Sequence, residues 1–174
     1  MSGARTSRRA WGWHRLTDTW ARQIVDDAGV RPGELVLDIG AGHGALTVPL
    51  VDAGARVLAV EPHPARAALL RESFSAAPVT VLEITADELR LPHRPFRVVA
   101  NPPYAITAAL LRALLTTRSG LYAADIVLQR AVVRHHAGAR HRGWTARQGS
   151  ALPRRAFDPP PRVDSAVLVI RRRH

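Results

Sequence analysis

Leu35-Val36-Leu37-Asp38-Ile39-Gly40-Ala41-Gly42-His43-Gly44 is the stretch that decides the fold. An apolar run that meets an acid and then spaces three glycines at alternate positions reads as a buried strand, a tight turn and the start of a helix. Glycine at 40, 42 and 44 permits backbone angles closed to other residues and leaves no Cβ between the chain and a ligand, while Asp38 offers a carboxylate at the strand end. A dinucleotide fingerprint sets its third glycine one residue later and holds a pyrophosphate at the helix N-terminus. The spacing here is Asp-x-Gly-x-Gly-x-Gly, which departs from that fingerprint; ligand binding at the turn is expected, and a plain turn is the competing reading.

Working outward, strands and helices alternate. Thr17 or Asp18 is placed to cap a helix running to Gly29, Ala45 to Ala53 reads as a helix ended by Gly54, and Val57 to Val60 as a second buried strand. That strand ends in Glu61, 21 residues beyond Gly40, near the distance at which doubly wound folds put a carboxylate on ribose hydroxyls. Pro64 to Phe74 reads as a helix and Val79 to Ile84 as a third strand. Asp87 follows that strand, where it is placed either to accept a hydrogen bond from an adenine amine or to start a short helix.

Phe96 to Ala100 forms a fourth strand ending in Asn101-Pro102-Pro103-Tyr104. The prolines stiffen this loop and donate no backbone hydrogen bonds, leaving carbonyls free to accept them. An exocyclic adenine amine is a poor nucleophile because its lone pair is drawn into the ring. The Asn101 side-chain oxygen and the Pro102 carbonyl are suited to accept its two hydrogens, with Tyr104 stacked on the base. Ala105 to Leu115 then reads as a helix, Ala124 to Gln129 as a fifth strand, Ala151-Leu152 as part of a short sixth, and Val163 to Ile170 as the last.

The glycine stretch resembles the first motif of S-adenosylmethionine-dependent methyltransferases, and Asn-Pro-Pro-Tyr after it resembles those acting on adenine amines. Phe157-Asp158-Pro159-Pro160-Pro161-Arg162-Val163-Asp164-Ser165 is similar to the Phe-x-Pro-x-Pro-x-Val-x-Ser signature of the rRNA adenine dimethyltransferase superfamily. Residues from about Gly12 to Arg173 most resemble its short Erm-type members of mycobacteria, which modify a 23S rRNA adenine at the macrolide site; the housekeeping small-subunit enzymes form the nearest alternative. The resemblance implies a Rossmann-like class I α/β fold without the usual C-terminal helical domain, as one domain over 1–174 with a basic segment at 1–22. It also implies S-adenosylmethionine as cofactor, with Asp38, Gly40 and Gly42 along its methionine and ribose, Glu61 on the ribose, Asp87 on the adenine and Asn101 at the reacting end. Asn101, Pro102 and Tyr104 would hold the target base. Phe157 would cover its other face or the reacting amine, although a core phenylalanine before a final strand is the competing reading. Where most members carry Gly-Gln-Asn-Phe-Leu, this chain has Gly12-Trp13-His14-Arg15-Leu16, so the cofactor contacts of Gln and Asn must be replaced or lost.

The charge is partitioned. The formal net charge is +11, and all 25 basic residues are arginine. Residues 1–22 hold five arginines against Asp18, residues 23–127 hold nine against eleven acids, and residues 128–174 hold eleven against Asp158 and Asp164. Positive ends suit a phosphate backbone, and Trp11 and Trp13 among the N-terminal arginines suit base stacking; a basic tail or a mitochondrial transit peptide fits the same segment. Arg130 to Arg147, with His135, His136 and His141, is expected to be a mobile RNA-facing loop in which Trp144 packs a base. No metal site is expected there, since the run has no acid or cysteine and its arginines repel a cation. The expected partner is 23S rRNA, protein-free or in an assembling large subunit, bound by a cytoplasmic monomer. The absence of cysteine fits a reducing compartment, and no apolar run reaches membrane-spanning length. A noncatalytic RNA-binding assembly factor and a DNA adenine methyltransferase are the remaining rivals.

Overall fold

Five consecutive buried residues, Leu35–Ile39, form strand β2 in the interior of a seven-stranded sheet in the computed structural model, which describes residues 14–116 and 118–173. β2 pairs in parallel with β3 (Arg56–Val60) on one side and β5 (Phe96–Ala100) on the other. β3 pairs with β4 (Val79–Leu82) and β5 with β6 (Leu121–Gln129), again in parallel. β9 (Ser165–Arg172) then lies antiparallel between β6 and β7 (Trp144–Leu152), giving the order β4-β3-β2-β5-β6-β9-β7. The chain winds outward from β2 to β4 and returns to β5 beside β2. A cleft therefore opens at the carboxyl ends of β2 and β5, where doubly wound sheets bind ligands.

The alternating residues of each strand feed two apolar layers. Val36, Val57, Val99, Val127 and Val167 lie in one, Leu37, Ile39, Val98, Ile126 and Leu168 in the other. Helix α1 (Asp18–Ala28) closes the first layer with Ala21, Ile24, Val25 and Ala28, a spacing that puts one stripe inward. Thr17 is its N-cap residue by position, but the Thr17 side chain makes no capping bond; its N–H goes to the Ala156 carbonyl at 2.9 Å instead. Gly29 ends the helix at φ 65°. Helices α2 (Thr47–Asp52), α3 (Pro64–Ser73) and α4 (Thr107–Leu114) fall within the spans expected, with shorter ends. A two-residue strand β1 (Arg15–Leu16) pairs antiparallel with β8 (Phe157–Asp158) outside the main sheet.

One segment departs from expectation. Residues 130–147 are not a loop: Arg130–Gly138 forms helix α5, and Trp144 begins β7. Val133 is buried with His136 and Ala137 half-buried beside it, so the inward stripe is helical, and a histidine in the stripe hides it from a hydrophobic count. Trp144 is buried, with the Arg172 guanidinium 4.4 Å from its ring centroid, and it presents no face to a base. Among the described residues no group of acids, histidines or cysteines is arranged to hold a metal, and no helix is long and apolar enough to cross a membrane.

Arg97 lies buried near the start of β5. Its guanidinium donates to the Ala28 carbonyl at 2.7 Å, lies 3.4 Å from Glu34 and 3.8 Å from Asp125, and sits 5.5 Å from the Tyr122 ring centroid. Arg171 reaches both oxygens of Asp125, at 3.0 and 3.2 Å. Burial pushes the Glu34 carboxyl up, but the Arg31 N–H, the Tyr122 hydroxyl and Arg97 outweigh it and hold Glu34 below its ordinary value. Removing one partner strands the others in an apolar layer. Arg97→Ala is expected to lose about 3–5 kcal/mol of stability in urea denaturation.

Candidate active site

The glycine turn is pinned from below. The N–H groups of Gly40 and Ala41 both donate to the Val60 carbonyl, at 2.9 and 3.0 Å, which ties the end of β2 to the end of β3. Gly40 has φ 78°, and a Cβ there would lie 3.2 Å from Pro103 Cδ and 3.3 Å from Pro102 Cα. The glycine turn and the Asn101-Pro102-Pro103-Tyr104 loop are in direct contact. Gly44 serves packing: a Cβ there would meet the Phe74 ring at 3.0 Å and Leu70 at 3.2 Å, side chains of α3 and the residue that ends it.

Asp38 is 1% exposed and accepts a hydrogen bond from Thr47 Oγ1 at 2.7 Å. Burial raises its pKa to about 7, with the Thr47 bond opposing and the nearby Glu61 charge adding to the rise. Glu61, just past β3, is also buried and takes a 2.7 Å hydrogen bond from Arg66 Nε on α3. Asp38, Gly40 and Asn101 line one pocket with Arg15, Ala41 and His43. Asp87 stands apart, exposed in a turn five residues past β4; no helix starts there, and Glu88 takes the local hydrogen bonds from Thr85.

Asn101 is half-buried and its Nδ2 donates to the His14 carbonyl at 2.8 Å, which fixes the amide and leaves Oδ1 as the acceptor. His14 Nδ1 donates to the Pro159 carbonyl at 2.8 Å, and its ring centroid lies 6.1 Å from that of Tyr104. The Tyr104 hydroxyl shares a 2.8 Å hydrogen bond with Ser165 Oγ, and burial pushes the phenol up. His14, Thr47, Arg66 and Ser165 are thus part of the site although none is assigned a role from sequence. Ser165 alone carried a signal, as the last residue of the proline-rich motif. Trp11, Gly12 and Trp13 lie outside the described residues.

Phe157 is 3% exposed and packed in the same apolar layer as Leu16 and Val167, the placement of the core phenylalanine that competes with a role at the base. Pairing of β1 with β8 sets Leu16 opposite Phe157.

Residues 5–174 match the family model described as ribosomal RNA adenine dimethylase. The chain belongs to that family. It is 34% identical over 181 residues to the rRNA adenine N-6-methyltransferase of Corynebacterium diphtheriae, covering 99% of this chain and 71% of that one. It is 35% identical over 186 residues to ribosomal RNA small subunit methyltransferase A of Thermosynechococcus vestitus, covering 95% and 69%. Among solved structures, the 23S rRNA methyltransferase ErmE superposes with a TM-score of 0.82 at 32% identity, over 91% of this chain and 70% of that one. The protein is therefore an S-adenosylmethionine-dependent rRNA adenine methyltransferase of Rossmann-like α/β fold.

The cleft fits that cofactor chemically: two buried carboxylates, Asp38 and Glu61, flank a turn in which Gly40 leaves the backbone bare. Both acids suit a ligand that carries a sulfonium, an ammonium and ribose hydroxyls. A cation beside Asp38 favours its ionised form, so binding drives off a proton below the folded pKa. S-adenosylmethionine affinity is expected to tighten as pH rises from 6 through about 7, by up to about tenfold per unit below the pKa, and to level off above it. Asp38→Asn removes this dependence, as read by calorimetry. The sign for stability is opposite: a folded pKa raised from 3.8 to about 7 contributes stability below the lower value that is lost as pH rises to the higher.

Proposed function

We propose that the protein methylates the N6 amine of an adenine at the macrolide site of 23S rRNA, with resistance to macrolides, lincosamides and streptogramin B as the consequence. The likeness to ErmE, named a 23S rRNA methyltransferase, carries this reading. In it the protein acts as a cytoplasmic monomer on free RNA or on an assembling large subunit. The small-subunit relative at 35% identity favours a second reading, in which the target adenine is in 16S rRNA.

S-adenosylmethionine supplies an electrophilic methyl group on sulfur. Asn101 Oδ1 and the Pro102 carbonyl accept the two amine hydrogens and turn the nitrogen lone pair out of conjugation toward that carbon. The N–C bond forms as the S–C bond breaks, the sulfide leaves as S-adenosylhomocysteine, and the amine proton passes to water. Tyr104, anchored through Ser165, stacks on the target ring. Glu61 would hold the ribose hydroxyls of bound S-adenosylmethionine, and Asp87 its adenine.

Incubation with radiolabelled S-adenosylmethionine and protein-free 23S or 16S rRNA, followed by mapping of the labelled adenine, separates the readings. Label at the macrolide site of 23S rRNA is the expected result. Label confined to 16S rRNA transfers the assignment to the small subunit.

A further inference from the structure

Of the large apolar side chains among the described residues, three are conspicuously exposed: Val48, Leu69 and Val163. Val48 and Leu69 lie on the outer faces of α2 and α3. Val163 is different. It is 46% exposed on the loop 159–164, two residues before Ser165, whose hydroxyl holds Tyr104. Two residues separate their Cα atoms by at most about 7.6 Å. An apolar side chain is thus held open to solvent at the border of the base-binding site.

The loop that carries it is clamped at both ends. Pro159 is held through its carbonyl by His14, and Pro161 is buried. At the other end, the Asp164 carbonyl accepts the Arg130 N–H at 3.0 Å and its carboxylate lies 3.6 Å from Arg154 Nε. Three prolines limit the backbone between these anchors, and valine is stiff at χ1. Arg130, Arg155 and Arg162 are exposed around the loop, a positive rim for phosphates.

An enzyme that reacts at a base must take that base out of its stack, and the gap left behind costs stacking contact. Apolar side chains inserted between base steps recover part of that cost. We propose that Val163 is the wedge that enters the stack vacated by the target adenine, while the arginine rim grips the flanking phosphates. This rests on the rRNA adenine methyltransferase activity and holds for either rRNA target.

The test uses a synthetic RNA hairpin around the rRNA adenine that the protein labels, made in two forms. One pairs the target adenine within a stem, and the other leaves it and its neighbours unpaired. Val163→Ala, at an exposed position, is expected to lose about tenfold more single-turnover rate on the paired form than on the unpaired one. Val163→Leu, which restores a wedge, is expected to recover most of that difference. With 2-aminopurine in place of the paired target, the fluorescence rise on binding is expected to shrink in Val163→Ala. Equal losses on the two forms, or no loss on either, would overturn the wedge. Absence of label in both full-length rRNAs, before any hairpin is made, would overturn the methyltransferase reading and the wedge with it.

Discussion

The contact between Gly40 and the Pro102-Pro103 backbone is the constraint on which the rest of the structure depends. β2 and β5 are neighbours in the sheet, and their carboxyl ends meet where the chain reverses its winding direction. A Cβ at residue 40 would lie 3.2–3.3 Å from the prolines, close enough that they would have to give by a few tenths of an ångström, and its φ of 78° disfavours one independently. In the proposed reaction the donor side belongs to β2 and the acceptor side to β5. Their distance is therefore set by backbone packing rather than by flexible side chains, and a transfer that depends on alignment needs such a frame.

Around this contact a second layer orients the groups. The segment 14–17 crosses the mouth of the cleft, pinned by β1–β8 pairing and by the Thr17 N–H on Ala156. From it, His14 reaches two ways: its carbonyl fixes the Asn101 amide, and its ring binds the Pro159 carbonyl. Ser165 does the same for Tyr104. The segment at His14, the Asn101–Tyr104 loop and the proline-rich motif, far apart in the chain, are thus joined by three hydrogen bonds of 2.8 Å into one unit.

Much of this was legible in the sequence because strand ends announce themselves. The run Leu35–Ile39 followed by spaced glycines, and Phe96–Ala100 followed by two prolines, each pair an apolar segment with residues that cannot continue it. Glu61 was marked by its distance from Gly40, and the structure buries it near Asp38. What was hidden depends on tertiary partners. Nothing local marks Thr47 as the donor to Asp38 or Arg66 as the partner of Glu61, and Arg97 in a buried strand contradicts its own polarity until Glu34, Asp125 and the Ala28 carbonyl surround it. His14 was hidden because it contributes to Asn101 through a backbone carbonyl, for which any residue serves. Trp144 misled for the same reason in reverse: an aromatic residue among arginines fits a ligand surface by type, and packing put it in the core. The helix at 130–138 was missed because His136 takes an inward position.

In the proposed reaction Asn101, held by the His14 carbonyl, presents its oxygen to the target amine. Single-turnover methyl transfer by Asn101→Ala, read beside the S-adenosylmethionine dissociation constant and the melting temperature, tests it most directly. Loss of one preorganised hydrogen-bonding partner at a reacting centre typically costs about 100-fold or more in rate. The prediction is a loss of that size with binding and melting close to wild type. Turnover within about threefold of wild type, a barrier change of less than 1 kcal/mol, would contradict the account.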